Sequence, residues 1–145
     1  MSGSPTSLLL DTCALIWLAN GDRLRQSATE AIVAAGLSGG IFVSPVSAWE
    51  VGLLARSGGQ RRPALQFLPN PKTWFARVMA GPGVRPAPFT SDIAIDASHL
   101  PGEVHGDPAD QMIVATARHL GMPVVTRDTR ILAYARRGHV AAIRC

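Results

Sequence analysis

The stretch from Gly106 to Asp128, "GDPADQMIVATARHLGMPVVTRD", decides the fold class. Its first half reads as one helix, with Asp107 at the N-cap, Pro108 at the first helical position and Gly121 just past the end. Its second half, "MPVVTRD", is a short apolar run, the pattern of a strand buried on both faces. A helix feeding directly into such a strand is the repeating unit of a parallel α/β sheet.

Working outward, the same alternation recurs. "LLLD" (Leu8–Asp11) reads as a buried strand and is followed by the helical "TCALIWLAN". "SATEAIVAAGLSG" places Ser27 and Glu30 at capping-box spacing ahead of a glycine stop. "GGIFVS" is a second strand, after which Ser44 caps a helix that has Pro45 at its first position. From Gly58 to Pro71 the chain is loop-like, and Asn70–Pro71 opens a helix over "KTWFARVMAG". "VRPAPF" is an edge strand, because its two prolines deny it a central place in a sheet. "TSDIAIDASHLPG" and "TRILAYARRG" are further helices, and "HVAAIRC" is the last strand. The class that follows is α/β, with a central, mainly parallel sheet of about five strands covered on both faces. One domain is expected over residues 1–145, with residues 1–7 as a flexible tail.

Composition narrows the function classes. At 145 residues, 47% hydrophobic and 17% charged, the chain can bury a core without disulfides or a structural metal. Cys13 and Cys145 form no metal-type pair, which predicts a reduced, cytoplasmic protein. No apolar run reaches the roughly 18–20 residues of a membrane span. The start, "MSGSPTS", lacks the basic-then-apolar pattern of a signal peptide. A formal net charge of +4 suits a polyanionic partner.

In a parallel α/β sheet, ligands bind beyond the carboxyl ends of the strands, so the residues placed there carry the functional argument. Asp11 closes "LLLD", and Asp128 follows "VVTR". Glu50 lies on the helix entered from "IFVSP", and Asp110 on the first turn of the helix that feeds "PVVT". Four carboxylates from four segments therefore belong at one edge of the sheet. Glu50 falls four residues after Val46 and three before Leu53, on a face that should be packed. A carboxylate there is costly unless it is paired, neutralised or bound to a cation. Clustered like charges have the same requirement, and magnesium, which prefers oxygen ligands and keeps several waters, meets it. His105 and His119 lie near this helix without the ligand spacing of a zinc site. With four of the ten acidic residues in one pocket, fourteen basic residues face the other six, a balance that suits a phosphodiester substrate.

Four segments, "LLLDTCALIWLANGD", "VSPVSAWEVGLLA", "GDPADQMIVATA" and "VVTRD", together resemble the acidic motifs of PIN-domain ribonucleases, above all the VapC toxin branch of toxin–antitoxin pairs. The resemblance spans nearly the whole chain. It implies a three-layer α/β/α fold and magnesium- or manganese-dependent RNA cleavage leaving 5′-phosphate and 3′-hydroxyl ends. It also implies a VapB-type antitoxin partner and a homodimer. Carried over residue by residue, Asp11, Glu50, Asp110 and Asp128 would be the catalytic metal ligands. Asp107 is read as the cap of its helix and second choice as a ligand. Ser47 and Thr126 resemble the small hydroxyl residues that accompany the acids, and Arg127 is a candidate phosphate contact. The chain has Cys13 where relatives often have His, and Gln111 where they often have Arg; neither is one of the four acids.

Two rivals are weighed against that reading. A PIN-like binding or scaffold module that no longer cuts would not need the complete quartet of acids. A phosphatase with Asp11 as nucleophile would want a second acid two residues on and a nearby lysine. Position 13 is cysteine, and the only lysine is Lys72. Trp49, Trp74 and Phe75 are candidates for an antitoxin groove, and the loop from Gly58 to Pro69, with Arg61 and Arg62, for the choice of RNA.

Overall fold

The computed structural model describes residues 5–56, 64–102 and 106–145. Along the chain run β1 (Ser7–Leu10), α1 (Thr12–Ala19), α2 (Gln26–Gly36), β2 (Gly40–Val43), α3 (Pro45–Ala55) and α4 (Pro71–Met79). There follow β3 (Val84–Pro86), α5 (Ser91–Ala97), α6 (Pro108–Leu120), β4 (Val124–Thr126), α7 (Thr129–Arg136) and β5 (Ala142–Arg144). The strands form one sheet in the order β3-β2-β1-β4-β5, and every neighbouring pair is parallel. β3 lies at one edge, where the prolines of "VRPAPF" place it.

Alternation along the central strand divides the core into two layers, since successive side chains point to opposite faces. Leu9 joins Ile113, Val114, Val124 and Ile131 under α6 and α7. Leu8 and Leu10 turn the other way, to Leu15, Ile32, Ile41 and Val125, under α1, α2 and α4. All three leucines are essentially excluded from solvent, each worth about 2 kcal/mol of hydrophobic burial. The result is the expected three-layer α/β/α sandwich, with all five strands parallel. No helix among the described residues is long and apolar enough to cross a membrane.

Two local expectations change. Ser27 does not cap α2; the helix starts at Gln26, two residues earlier than a Ser27 cap would set it, behind Arg25, which makes no side-chain cap. Thr29 N–H donates to the Arg25 carbonyl at 3.0 Å, so the helix runs back to Gln26 and leaves Ser27 inside the first turn. Glu30 accepts instead from the Gln26 side chain at 3.1 Å. At the amino end, Ser7 is already the first residue of β1, opposite Gly40, and the Thr6 carbonyl accepts from Gly39 N–H at 2.7 Å. Backbone pairing thus claims part of the segment that its small polar residues marked as a tail.

The strand order creates the site. From β1 the chain builds outward through β2 to β3, then returns to the other side of β1 for β4 and β5. That reversal lies between β1 and β4, so the crevice beyond their carboxyl ends is the one a ligand uses in such folds.

Candidate active site

Three helices begin at that crevice, each capped by an aspartate. Asp11 caps α1, its Oδ1 accepting from Ala14 N–H at 2.8 Å. Asp128 caps α7, its Oδ1 accepting from Arg130 N–H at 2.8 Å and Ile131 N–H at 3.0 Å. Asp107 caps α6, its Oδ1 accepting from Ala109 N–H at 3.0 Å and Asp110 N–H at 3.3 Å. The positive ends of the three helix dipoles therefore partly offset the carboxylate charge gathered there. Asp11, Glu50, Asp110 and Asp128 line one pocket of about 340 Å³, and Asp107 lies on its wall.

Buried hydroxyls hold two of these carboxylates. Thr126, fully buried at the end of β4, donates to Asp11 Oδ2 at 2.5 Å and accepts from Asp128 N–H at 3.0 Å. One side chain thus ties the acid after β1 to the backbone of the acid after β4. Thr12 donates to Glu50 Oε1 and shares a 2.9 Å hydrogen bond with Ser47 Oγ. With its one proton on the Glu50 carboxylate, Thr12 is the acceptor from Ser47.

The electrostatics follow from burial and crowding. Burial first, then Asp107, Asp128, Glu50 and Asp11, push the Asp110 carboxyl up to about 7. Burial also raises Asp11, against the opposing hydrogen bond from Thr126, and raises Glu50, against the one from Thr12. Cys13 at the mouth is pushed up to about 11 by burial and then by four of the acids. It stays a neutral thiol at physiological pH, which removes it as a nucleophile.

The four acids expected from the sequence come together, and Asp107 comes with them. In the sequence a cap role accounts for Asp107, but Asp11 and Asp128 are caps too, so that role does not separate Asp107 from the others. Ser47 and Thr126 are both fully buried within the hydroxyl network. Thr12 went unrecognised. Its signal was a polar residue at the first position of an otherwise apolar helix, directly after a candidate acid. Trp17, on the pocket wall, was read only as part of a helix. Arg127 also lines the pocket, its guanidinium carbon 3.8 Å from the centre of the Trp17 ring.

Other candidates fall elsewhere. His119 shares a different cleft with Asp96 and His99. His105, Arg61 and Arg62 lie outside the described residues. Trp49 is 59% exposed. Trp74 meets Phe67 edge-on at 4.8 Å and, with Leu18 and Leu68, lines an apolar cleft of about 420 Å³.

Among the described residues, no three His, Cys, Asp or Glu side chains converge tightly enough to form a closed metal cluster. The donor chemistry nevertheless fits a hard cation. Among the described residues, the pocket offers carboxylate oxygens, no imidazole, and room for the waters that magnesium retains. Carboxyls raised by burial and then by mutual repulsion are also groups that a bound cation would relieve.

Comparison with known proteins places this geometry. Residues 8–137 match the PIN domain family. The chain is 33% identical over 130 residues to Ribonuclease VapC22 of Mycobacterium tuberculosis (strain ATCC 25618 / H37Rv), covering 89% of this chain and 92% of that one. Among solved structures it resembles VapBC2 from Rickettsia felis bound to a promoter DNA fragment, with a TM-score of 0.62 at 11% identity, over 95% of this chain and 98% of that one. It also resembles VapBC-5, a toxin–antitoxin family member from Mycobacterium tuberculosis, with a TM-score of 0.60 at 20% identity, over 97% and 100% of the two chains.

Proposed function

The chain belongs to the PIN-domain family, and from that premise we propose that it is a divalent-metal-dependent endoribonuclease, the toxin of a pair with a VapB-type antitoxin. The observation that carries this reading is the convergence of Asp11, Glu50, Asp110 and Asp128 in one pocket at the switch point of the sheet. We assign those four as holders of magnesium or manganese, with Asp107 contributing charge from the wall. A bound divalent cation supplies Lewis-acid stabilisation of the phosphoryl charge.

The chain's own residues supply the rest. Thr126 and Ala14 N–H fix both oxygens of Asp11, and Thr12 fixes Glu50, so neither carboxylate must be oriented at the moment of reaction. The net positive charge of the chain favours a polyanionic substrate. RNA in the cytoplasm is the substrate we assign. The antitoxin is assigned to the apolar cleft beside Trp74, where Leu18 and Leu68 stand exposed in a way a partner would relieve. A homodimer, on the precedent of the family, completes the proposed assembly.

Cap and charge can be separated experimentally, because asparagine caps a helix about as well as aspartate. The purified chain is expected to cut total cellular RNA into discrete fragments with Mg²⁺ or Mn²⁺ and not with EDTA. Asp128→Asn should reduce cleavage by more than the ~100-fold that loss of an outer partner costs. Asp107→Asn should retain most of it. Absence of both cleavage and divalent-metal binding in the wild type would point to the non-cutting scaffold instead.

Thr12 gives a second test. Thr12→Val keeps the side-chain shape and removes the hydroxyl, so cleavage should fall about 10–100-fold, with Thr12→Ser restoring it. The Mn²⁺-induced rise in Tm should shrink in parallel. A fully active Thr12→Val would mean that Glu50 is oriented by something else.

A further inference from the structure

Arg127 was expected to grip a phosphate, and its surroundings favour a different use. A phosphate fork needs the N–H edge of the guanidinium. Here Nη2 donates to the Cys145 carbonyl at 3.1 Å and to the Arg23 carbonyl at 3.5 Å. The guanidinium also sits over Trp17, 3.8 Å from the ring centre, a distance for cation–π stacking. Part of its edge is thus committed to backbone oxygens and one of its faces to the indole. Arg127 is nonetheless exposed, and both it and Trp17 line the acidic pocket. With one face against Trp17, the opposite face is the one left for a planar ligand to stack on.

From this layering we infer that Trp17 and Arg127 form a nucleobase-stacking subsite, which receives a base flanking the scissile phosphate. The inference rests on the ribonuclease reading above and assigns a base-binding role that the acid quartet cannot supply. Planar guanidinium groups and aromatic rings are common platforms for unstacked bases of single-stranded RNA. A guanidinium already supported on one face and held at its edge loses little freedom when a base covers the other. Arg127 is adjacent to Asp128 in the chain, and its charge acts on Asp11, so a base on this platform lies next to the acids. Stacking is tolerant of base identity, so the subsite anchors the substrate and leaves sequence choice to other contacts.

The test uses the full chain and a short single-stranded RNA spanning a cut mapped on cellular RNA. Each nucleotide flanking the cut is replaced in turn by an abasic residue. For the wild type, one of these replacements should raise KM about tenfold, within the range for one stacked base, and leave kcat nearly unchanged. Arg127→Lys keeps the charge and loses the plane, and should show the raised KM on intact RNA with no further penalty from the abasic residue. Trp17→Leu should behave in the same way, with thermal unfolding confirming that both variants are folded. Equal abasic penalties in wild type and variants, or no abasic penalty in the wild type, would overturn the stacking assignment alone. Failure of the wild type to cut any RNA would overturn the ribonuclease reading and this subsite together.

Discussion

Asp110→Asn is expected to abolish divalent-dependent RNA cleavage and, in the metal-free protein, to raise stability above neutral pH. The two effects share one cause. Burial and the neighbouring acids Asp107, Asp128, Glu50 and Asp11 hold the Asp110 carboxyl at about 7, against an ordinary value of 3.8. Across that interval the folded chain binds a proton that the unfolded chain has released. The associated stability is fully present below about 4 and is lost as pH rises through about 7. Above that, folding must hold an anion among anions, and asparagine relieves this. Asp110 is partly open to solvent, so after allowance for screening the gain is about 1–2 kcal/mol, or a few degrees in Tm. A divalent cation should reverse the balance in the wild type, raising Tm more at about pH 8 than at about pH 5, because it competes with protons for the same oxygens. Calorimetry at both pH values, with and without Mg²⁺, checks this. A metal-free Asp110→Asn less stable than wild type at about pH 8 would sink the account.

Gly83→Ala should cause the largest loss of stability. Gly83 precedes β3 with φ of +77°, and its carbonyl accepts from Ile41 N–H at 2.7 Å. A Cβ there would lie 2.6 Å from Gly36 Cα and 2.5 Å from the Gly36 carbonyl oxygen. Both are backbone atoms at the end of α2, so no rotamer change can make room. The left-handed conformation costs a non-glycine residue roughly 1–2 kcal/mol, and the forced separation of α2 from the sheet edge adds a further 1–3. A total of about 2–5 kcal/mol is a large share of a typical domain's stability. Gly21→Ala is the internal control. Its φ of +74° is nearly the same, but nothing lies within 4 Å of the added carbon, so it should show the conformational cost alone. Urea unfolding of both variants separates strain from collision; equal losses would mean that the Gly83–Gly36 approach relaxes freely.

The local order of this protein was legible in its sequence because the signals are local. Caps at Ser44, Asn70 and Asp107 and first-turn prolines at Pro45, Pro71 and Pro108 lie within a few residues of what they control. Continuous apolar runs distinguished buried parallel strands, and the prolines of "VRPAPF" assigned β3 to the edge. The same reasoning placed Asp11 and Asp128 at strand ends and gathered Asp110 and Glu50 beside them. It failed at Ser27, where the helix runs back through a correct capping pattern to Gln26, whose side chain takes up Glu30 instead. It also failed to find Thr12, whose value to Glu50 depends on a contact 38 residues away.

Tertiary structure alone decided how those acids differ. Strand order put the reversal between β1 and β4, and so brought three helix N-termini to one crevice. That convergence gathered Asp11 and Asp128, each the local cap of its own helix, into one pocket, and it buried and crowded Asp110 enough to hold a proton near neutrality. The contacts of Arg127 were decided in the same way, because Trp17, Arg23 and Cys145 reach it from distant parts of the chain. Caps and apolar periods are written in neighbouring residues. Charge coupling and the direction of a guanidinium are set by distances through space, which only the folded chain defines.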